Sequence, residues 1–216
     1  MNWRYLRQAP WLDTRAKFVG TAPRNGSLLD LGSSDGRTLG HIAELRPDLR
    51  LFATDIADFS QNYPSGCKFQ RANLEVDKLD WPDGSMDTIT CMHLVEHLKN
   101  LDRLMEEVRR LLKPGGRVYF ETPHPKTLGL ASLTGPAAGT FTMNFYDDPT
   151  HVHIVPTGVL AQKARQQGLE VIASGTSRNW LFVAARLFAF LLPSQQKATA
   201  HVHLIGWSAY LIARRS

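Results

Sequence analysis

Short apolar runs and amphipathic stretches alternate along most of this chain, and the alternation predicts its elements. Apolar runs bounded by turn residues are typical of buried strands, and apolar residues spaced three or four apart are typical of helices. We predict strands at 28–31, 50–54, 69–74, 87–92, 117–121 and 169–173, with a last strand within 206–213. The predicted helices cover 37–46, 101–112, 157–167 and 180–192.

The order of these elements predicts the fold class. Strand and helix alternate from residue 28 onward, which is typical of parallel strands joined by crossover helices. We therefore predict an α/β fold with a doubly wound, mostly parallel seven-stranded sheet and helices on both faces. Residues 123–150 lose all periodicity, and a gap of this length predicts a lid insertion after strand five.

A single domain accounts for the whole length. The chain has 216 residues, which is enough for one sizeable core and short for two. Within a domain covering 1–216 we distinguish an N-terminal helical segment at 1–25, a lid region at 123–153 and an apolar helix at 180–193 between the last two strands.

The composition limits which partners and which cellular compartment we expect for the protein. The net charge is +5, but Lys and Arg are scattered, which favours a solvated basic surface and no specific nucleic acid. Cys67 and Cys91 have no CxxC spacing and are expected to be reduced, as in a cytoplasmic protein. No signal peptide is expected, and the apolar run 180–192 is too short to cross a bilayer.

A glycine-bracketed turn after the first strand is the first candidate for chemistry. Asp30, Gly32 and Gly36 lead from the strand into the next helix, where free backbone amides face a ligand. A dinucleotide fingerprint would need glycines where Ser34 and Arg37 stand. An acid at the strand end would repel a pyrophosphate and suits a cationic ligand, such as the amino group of a methionine moiety. A purely structural turn is the alternative.

Four segments follow one another along the chain: Leu29–Gly36, Asp55 after strand two, Asp80–Asp87, and Leu94–Leu98 with the later Arg109–Gly116. In this order they resemble the class I S-adenosylmethionine-dependent methyltransferases, most of all the small-molecule branch that includes the ubiquinone-biosynthesis methyltransferases. The resemblance covers roughly residues 26–174. It implies a Rossmann-like methyltransferase fold and methyl transfer from S-adenosyl-L-methionine to a small molecule, with S-adenosyl-L-homocysteine as product.

The resemblance also implies which residues bind the cofactor. It places the methionine end against the glycine turn, the ribose diol on Asp55 and the adenine beside Asn73, where the family usually has Asp. Residues at the end of strand four would lie beneath the sulfonium, although core packing explains Met92 equally well. The implied set is Asp30, Gly32, Ser33, Gly36, Asp55, Asn73, Leu74, Met92 and His93.

Histidines are the candidate bases, since a hydroxyl acceptor needs a group that takes a proton near neutral pH. His151 matches a histidine that related methyltransferases carry just after their lid, and is the first candidate for the catalytic base. His124, directly after strand five, is the second. His97 is expected to brace its helix.

No metal ligand is assigned, but an alternative remains open. Some relatives with Glu-x-x-Glu-His after strand four bind a divalent metal. Here the pattern departs at His93, with Glu96, His97 and His151 as the other candidates. Such a set would favour zinc or another transition metal over magnesium.

Other functions and partners stay open at this point. A nicotinamide-dependent oxidoreductase, a non-catalytic scaffold of the same fold and an RNA methyltransferase are the alternatives. The sequence does not name the acceptor, nor whether its oxygen, nitrogen or carbon is methylated. The apolar helix 180–192 would pack on the lid, form a homodimer face or rest on a membrane to collect an apolar or lipid-linked acceptor.

Overall fold

The chain forms one seven-stranded sheet. The computed structural model describes residues 3–134, 139, 142–187 and 194–216. The strands are β1 (Ser27–Leu31), β2 (Arg50–Asp55), β3 (Lys68–Arg71), β4 (Met86–Met92), β5 (Leu112–Pro123), β6 (Leu169–Ser177) and β7 (Ser208–Arg215). Their order is β3-β2-β1-β4-β5-β7-β6, with β7 antiparallel to both neighbours. The predicted mostly parallel, doubly wound sheet is confirmed.

The described residues form six α-helices around the sheet. They are α1 (Thr14–Gly20), α2 (Arg37–Leu45), α3 (Asp102–Leu111), α4 (Thr157–Gln166), α5 (Trp180–Ala185) and α6 (Ser194–Ile205). The predicted helix 180–192 is only partly described. Its first turns form α5, and residues 188–193 lie outside the described residues. The sequence pattern did not predict α6, whose polar and apolar residues show no clear helical stripe.

Two apolar clusters cover the two faces of the sheet. One face packs against α3 and α4, with Met105, Val108 and Leu160 fully or almost fully buried. The other packs against the N-terminal segment and α2, with Phe18 and Ile42 in its core. Because both faces are covered, all five residues of β1 are buried, as expected for a central parallel strand.

The connection from β3 to β4 contains no helix, and Arg110 of α3 holds it in place. Its guanidinium donates to the carbonyl oxygens of Leu79 and Trp81, both at 2.8 Å, and to Asp83. The same group pairs with Glu107 at 2.7 Å on α3 itself. Arg110 therefore fixes three residues of this connection to α3.

The carboxyl ends of β1, β2, β4 and β5 meet at one edge of the sheet, because these strands are parallel. The N-terminal segment and the described residues of the connection 123–153 border this edge. Trp207, directly before β7, donates from Nε1 to the carbonyl of Met143 in this connection at 2.8 Å. The bond ties the connection to the start of β7. The role of this connection as a lid stays a prediction. None of the described helices is both long and apolar enough to cross a membrane.

Candidate active site

The glycine turn after β1 uses left-handed backbone angles at both of its glycines. Gly32 and Gly36 have φ of 73° and 82°, in the left-handed region that glycine adopts without strain. A Cβ on Gly36 would lie 2.6 Å from the ring of Tyr63. The Tyr63 hydroxyl lies 2.8 Å from Ser33 Oγ and donates to the carbonyl of Ser34 at 3.0 Å. Tyr63, which sequence reasoning missed, therefore fixes the turn.

A cavity of about 210 Å³ opens beside this turn, and we call it the loop cavity. Four residues of the predicted cofactor set line it: Gly32, Asp55, Asn73 and Leu74. The remaining lining residues are Ile56, Ala72, Glu75, Leu94, His97 and Leu98. The cavity thus joins the ends of β1, β2 and β3, which is where a doubly wound sheet holds its ligands.

Asp55 and Asn73 present polar atoms to the loop cavity. Asp55 accepts from the backbone amides of Ser34 at 2.8 Å and Ala57 at 3.0 Å, which fixes the carboxylate while lone pairs remain for a diol. Asn73 Oδ1 accepts from the amide of Glu75. Within the described residues no hydrogen bond engages the Asn73 NH₂ group, which is therefore available as a donor.

Asp30 is buried at the end of β1. Burial raises the pKa of its carboxyl to about 7, although a hydrogen bond from Thr90, at 2.6 Å, acts in the opposite direction. A cationic ligand nearby stabilises the ionised form of a buried acid. This environment suits the predicted contact with an amino group.

A second, larger cavity of about 480 Å³ lies on the other side of His97, which lines both cavities. We call it the histidine cavity. It is lined by Arg15, His93, Glu96, His97, Glu121, Thr142, Asp148, His151, Ser177, Thr199, Val202, His203, Trp207 and Ser208. His93 belongs here and not to the loop cavity, so the structure separates it from most of the cofactor set with which it was grouped.

Four ionisable side chains of alternating charge form a chain beneath the histidine cavity. His93 lies 3.0 Å from Glu96 through Nδ1 and 3.2 Å from Glu121 through Nε2. Arg15 Nε donates to Glu121 at 2.9 Å, and a second bond from Nη2 completes a bidentate pair. His93 itself has a φ of 57°, which is uncommon outside glycine and fixes the ring between the two acids.

The pairing of these four side chains determines the pKa values of His93 and Glu121. Burial alone would lower the pKa of His93, but hydrogen bonds to Glu121 and Glu96 raise it to about 9. Burial likewise opposes ionisation of Glu121, yet Arg15 and His93 hold the pKa of that carboxyl well below its usual range. At neutral pH His93 therefore carries both ring protons, and it donates both to carboxylates.

Glu96, His97 and His151 converge at the end of the histidine cavity nearest the loop cavity. One ligand-capable atom from each lies within 4.8 Å of the others. Glu96 Oε2 is buried and has no hydrogen-bond partner within the described part of the chain. His151 Nδ1 lies 2.6 Å from the carbonyl of Phe145, so Nδ1 carries the proton and Nε2 the lone pair in the neutral ring.

His97 has the same tautomer. Its Nδ1 lies 2.9 Å from Thr150 Oγ1, whose own proton is donated to Asp148. The hydroxyl therefore accepts from His97, and Nε2 keeps the lone pair. Two imidazole lone pairs and one unpartnered carboxylate oxygen can together accept a proton or hold a divalent cation.

Two predicted residues lie elsewhere. His124 is not among the residues that line either cavity; its Nδ1 accepts from the amide of Lys126 and caps a short 3-10 helix at Pro125–Gly129. Met92 packs against the apolar cluster on the α2 face, the alternative that the sequence left open.

Sequence reasoning missed several residues of the histidine cavity. Arg15 comes from the N-terminal segment, and Ser177, His203 and Trp207 come from the last quarter of the chain, outside the recognised motifs. One signal was available. Glu121 is an acid inside an apolar strand, and a buried carboxylate requires a partner.

Fold and site together define a class I S-adenosylmethionine-dependent methyltransferase domain. Residues 3–174 match the family described as Methyltransferase domain, which is most of the chain, so the chain belongs to this family. The resemblance found in the sequence is thereby confirmed, and S-adenosyl-L-methionine is the cofactor of the class. The polar atoms of the loop cavity and the buried Asp30 fit that cofactor.

Individual relatives agree with this assignment. The chain is 28% identical over 154 residues to the ubiquinone biosynthesis O-methyltransferase of Bordetella avium, a match that covers 66% of this chain and 61% of that protein. A methyltransferase structure from Mesorhizobium loti superposes with a TM-score of 0.68 at 18% identity, covering 97% of this chain and 98% of that one. The phosphoethanolamine N-methyltransferase 2 of Haemonchus contortus, in complex with S-adenosyl-L-methionine, has a TM-score of 0.61 at 13% identity, covering 98% and 52%.

Proposed function

We propose that this protein transfers the methyl group of S-adenosyl-L-methionine to a hydroxyl of a small molecule. The observation that carries the proposal is the meeting of two cavities at His97. The loop cavity offers groups for an adenosyl cofactor, and the histidine cavity offers proton acceptors for a second molecule. A methyl donor and an acceptor held on the two sides of His97 would face each other.

In this proposal His151 is the general base. The acceptor hydroxyl gives its proton to His151 Nε2 while its oxygen forms a bond to the methyl carbon and the carbon–sulfur bond breaks. The sulfonium leaves as the neutral thioether of S-adenosyl-L-homocysteine. Asp148, whose carboxylate lies 3.9 Å from His151 Nε2, stabilises the imidazolium that forms. Positioning and a base suffice because the leaving group is good.

The first test is cofactor binding. We expect S-adenosyl-L-methionine to bind saturably in calorimetry and NAD not to bind. Asp55→Ala should weaken S-adenosyl-L-methionine at least about tenfold, because it removes the acceptor of the ribose diol and the fixed partner of the Ser34 amide. Asp58→Ala, an exposed acid of the same loop, is the matched control and should bind normally. Equal binding of NAD, or an unaffected Asp55→Ala variant, would contradict the proposal.

A metal-assisted version of the same reaction has specific support in the unpartnered Glu96 Oε2. Glu96, His97 and His151 would hold a divalent cation, and both rings are already oriented by hydrogen bonds at Nδ1, as is usual for ligating histidines. When bound, the cation would polarise the acceptor hydroxyl. Chelation separates the versions: the His151-base version keeps full activity in EDTA, whereas the metal version loses it and regains it on adding zinc. Elemental analysis that finds no metal in the purified protein would also rule out the metal-assisted version.

A further inference from the structure

The histidine cavity has two chemically different ends. Near the loop cavity stand Glu96, His97, Asp148 and His151, whose unoccupied positions are acceptors. Away from it stand two groups from other elements that keep unused N–H donors within the described residues, namely Arg15 of α1 and His203 of α6. The cavity is therefore divided along its length.

Arg15 retains hydrogen-bond donors that the protein does not use. A guanidinium has five N–H groups, and Glu121 accepts from Nε and Nη2. Within the described residues no hydrogen bond engages Nη1. The Arg15 side chain is 30% exposed and lines the cavity. An arginine oriented by one carboxylate can bind a second anionic group with its remaining edge.

His203 adds a second donor beside it. Its Nδ1 accepts from the backbone amide of Asn179 at 3.1 Å, and its ring stacks on Phe182. Burial, and then the positive charge of Arg15, lower the pKa of His203 to about 4, so the ring is neutral at physiological pH. A neutral ring whose Nδ1 accepts must carry its proton on Nε2, which leaves Nε2–H as a donor.

We propose that the acceptor molecule has two ends: a hydroxyl placed among Glu96, His97 and His151, and an anionic oxygen group, carboxylate or phosphate, bound by Arg15 and His203. The proposal rests on the proposed methyltransferase function and specifies the class of its acceptor. It favours a compact hydroxylated acid over the apolar or lipid-linked acceptor that the sequence left open.

The test measures binding, so that it does not depend on turnover. Two matched pairs serve as probes, a dihydroxybenzoate with its benzamide and glycerol phosphate with glycerol, titrated by calorimetry with saturating S-adenosyl-L-homocysteine present. We expect at least one acid to bind about tenfold or more tightly than its uncharged partner. The pair that shows the preference distinguishes a carboxylate from a phosphate.

The deciding variant is His203→Asn. Asparagine places its side-chain oxygen where Nδ1 stands and keeps the bond from Asn179, but it lacks the Nε2–H donor. The preference for the acid should fall to about threefold or less in His203→Asn and stay intact in His201→Asn, a control on the same helix outside the cavity lining. Substitution of Arg15 is avoided because it would leave Glu121 buried without its main partner.

Each outcome has one meaning. No preference for an acid in either pair, including no binding of any probe, would overturn the proposal. An equal preference in His203→Asn and wild type would overturn it as well. Failure of S-adenosyl-L-homocysteine itself to bind would count against the proposed methyltransferase function, whereas normal binding of that product without acid preference would overturn only the acceptor class.

Discussion

Burial determines the protonation behaviour of Asp30. With a pKa near 7, its carboxyl is largely protonated below that pH in the ligand-free protein. An ammonium group bound beside it favours the ionised form and lowers its pKa. Binding must therefore release a proton at lower pH, which makes binding weaker there.

We accordingly predict that the affinity for S-adenosyl-L-homocysteine falls as pH decreases below about 7, by up to about tenfold per pH unit. Asp30→Asn should bind more weakly at pH 8 and lose this pH dependence. Calorimetry between about pH 5.5 and 8 measures the affinity of both proteins for S-adenosyl-L-homocysteine. An analogue without the amino group is the control and should bind independently of pH. The same pH dependence in Asp30→Asn would show that another group is responsible.

His151 permits an equally specific substitution. Asparagine at 151 can still donate to the Phe145 carbonyl but offers no Nε2 lone pair. With any acceptor that supports turnover, we predict that His151→Asn lowers kcat about 10²- to 10⁴-fold with little change in cofactor affinity. His153→Asn, an exposed neighbour, should behave as wild type. Release of S-adenosyl-L-homocysteine is the readout, and an undiminished kcat would exclude His151 as the base.

At the scale of elements, Arg110 supports the helix-free connection before β4. Its side chain is only 15% exposed and holds three residues of that loop. We predict that Arg110→Ala lowers the free energy of unfolding by about 2–4 kcal/mol, since it removes the shortest ion pair of the buried Glu107 together with the bonds to the loop. Arg109→Ala, the adjacent arginine, should change it by less than about 1 kcal/mol. Urea denaturation compares the two, and equal losses would contradict the role of Arg110.

The elements that sequence predicted well are those whose stability is local. α3 has a continuous apolar stripe, and β1 is a short apolar run before a glycine turn. α6 has neither, because its order comes from packing against α5 and the connection 123–153. Tyr63 was missed for the same reason: only tertiary structure brings it onto Gly36.

The candidate site divides in the same way. Gly32, Asp55 and Asn73 follow from motifs at strand ends, and parallel strands place their ends together. Arg15 and His203 cannot be found that way, since no spacing relates residue 15 to residue 203. Their meeting depends on the docking of α1 against the segment before α5.

At the scale of the whole molecule, that docking joins distant parts of the chain. Asp13 caps α1 by accepting from the amide of Ala16 at 3.0 Å, and it also accepts from Asn179 Nδ2 at 2.8 Å. Thr14 and Arg178 exchange backbone and side-chain bonds beside it. The wall of the histidine cavity that carries Arg15 is fixed by these contacts.

We predict that Asp13→Ala lowers the free energy of unfolding by about 2–3 kcal/mol, through loss of the cap and of the bond to Asn179. In a protein of this size the melting temperature should fall by about 5–10 °C. Asp13→Asn, which can still cap the helix, should lose less than half as much. Calorimetric melting of the two variants measures the difference, and equal losses would show that the cap contributes nothing.

The place of β7 has a consequence for how the molecule is made. It is the last strand in sequence, yet it pairs with both β5 and β6 in the interior of the sheet. During synthesis on the ribosome, β5 and β6 must wait with open edges until residues 208–215 emerge, a non-local closure that is slow and exposed to aggregation. Trp207 and Ser208 arrive with the same strand, so the histidine cavity is completed only when the sheet is.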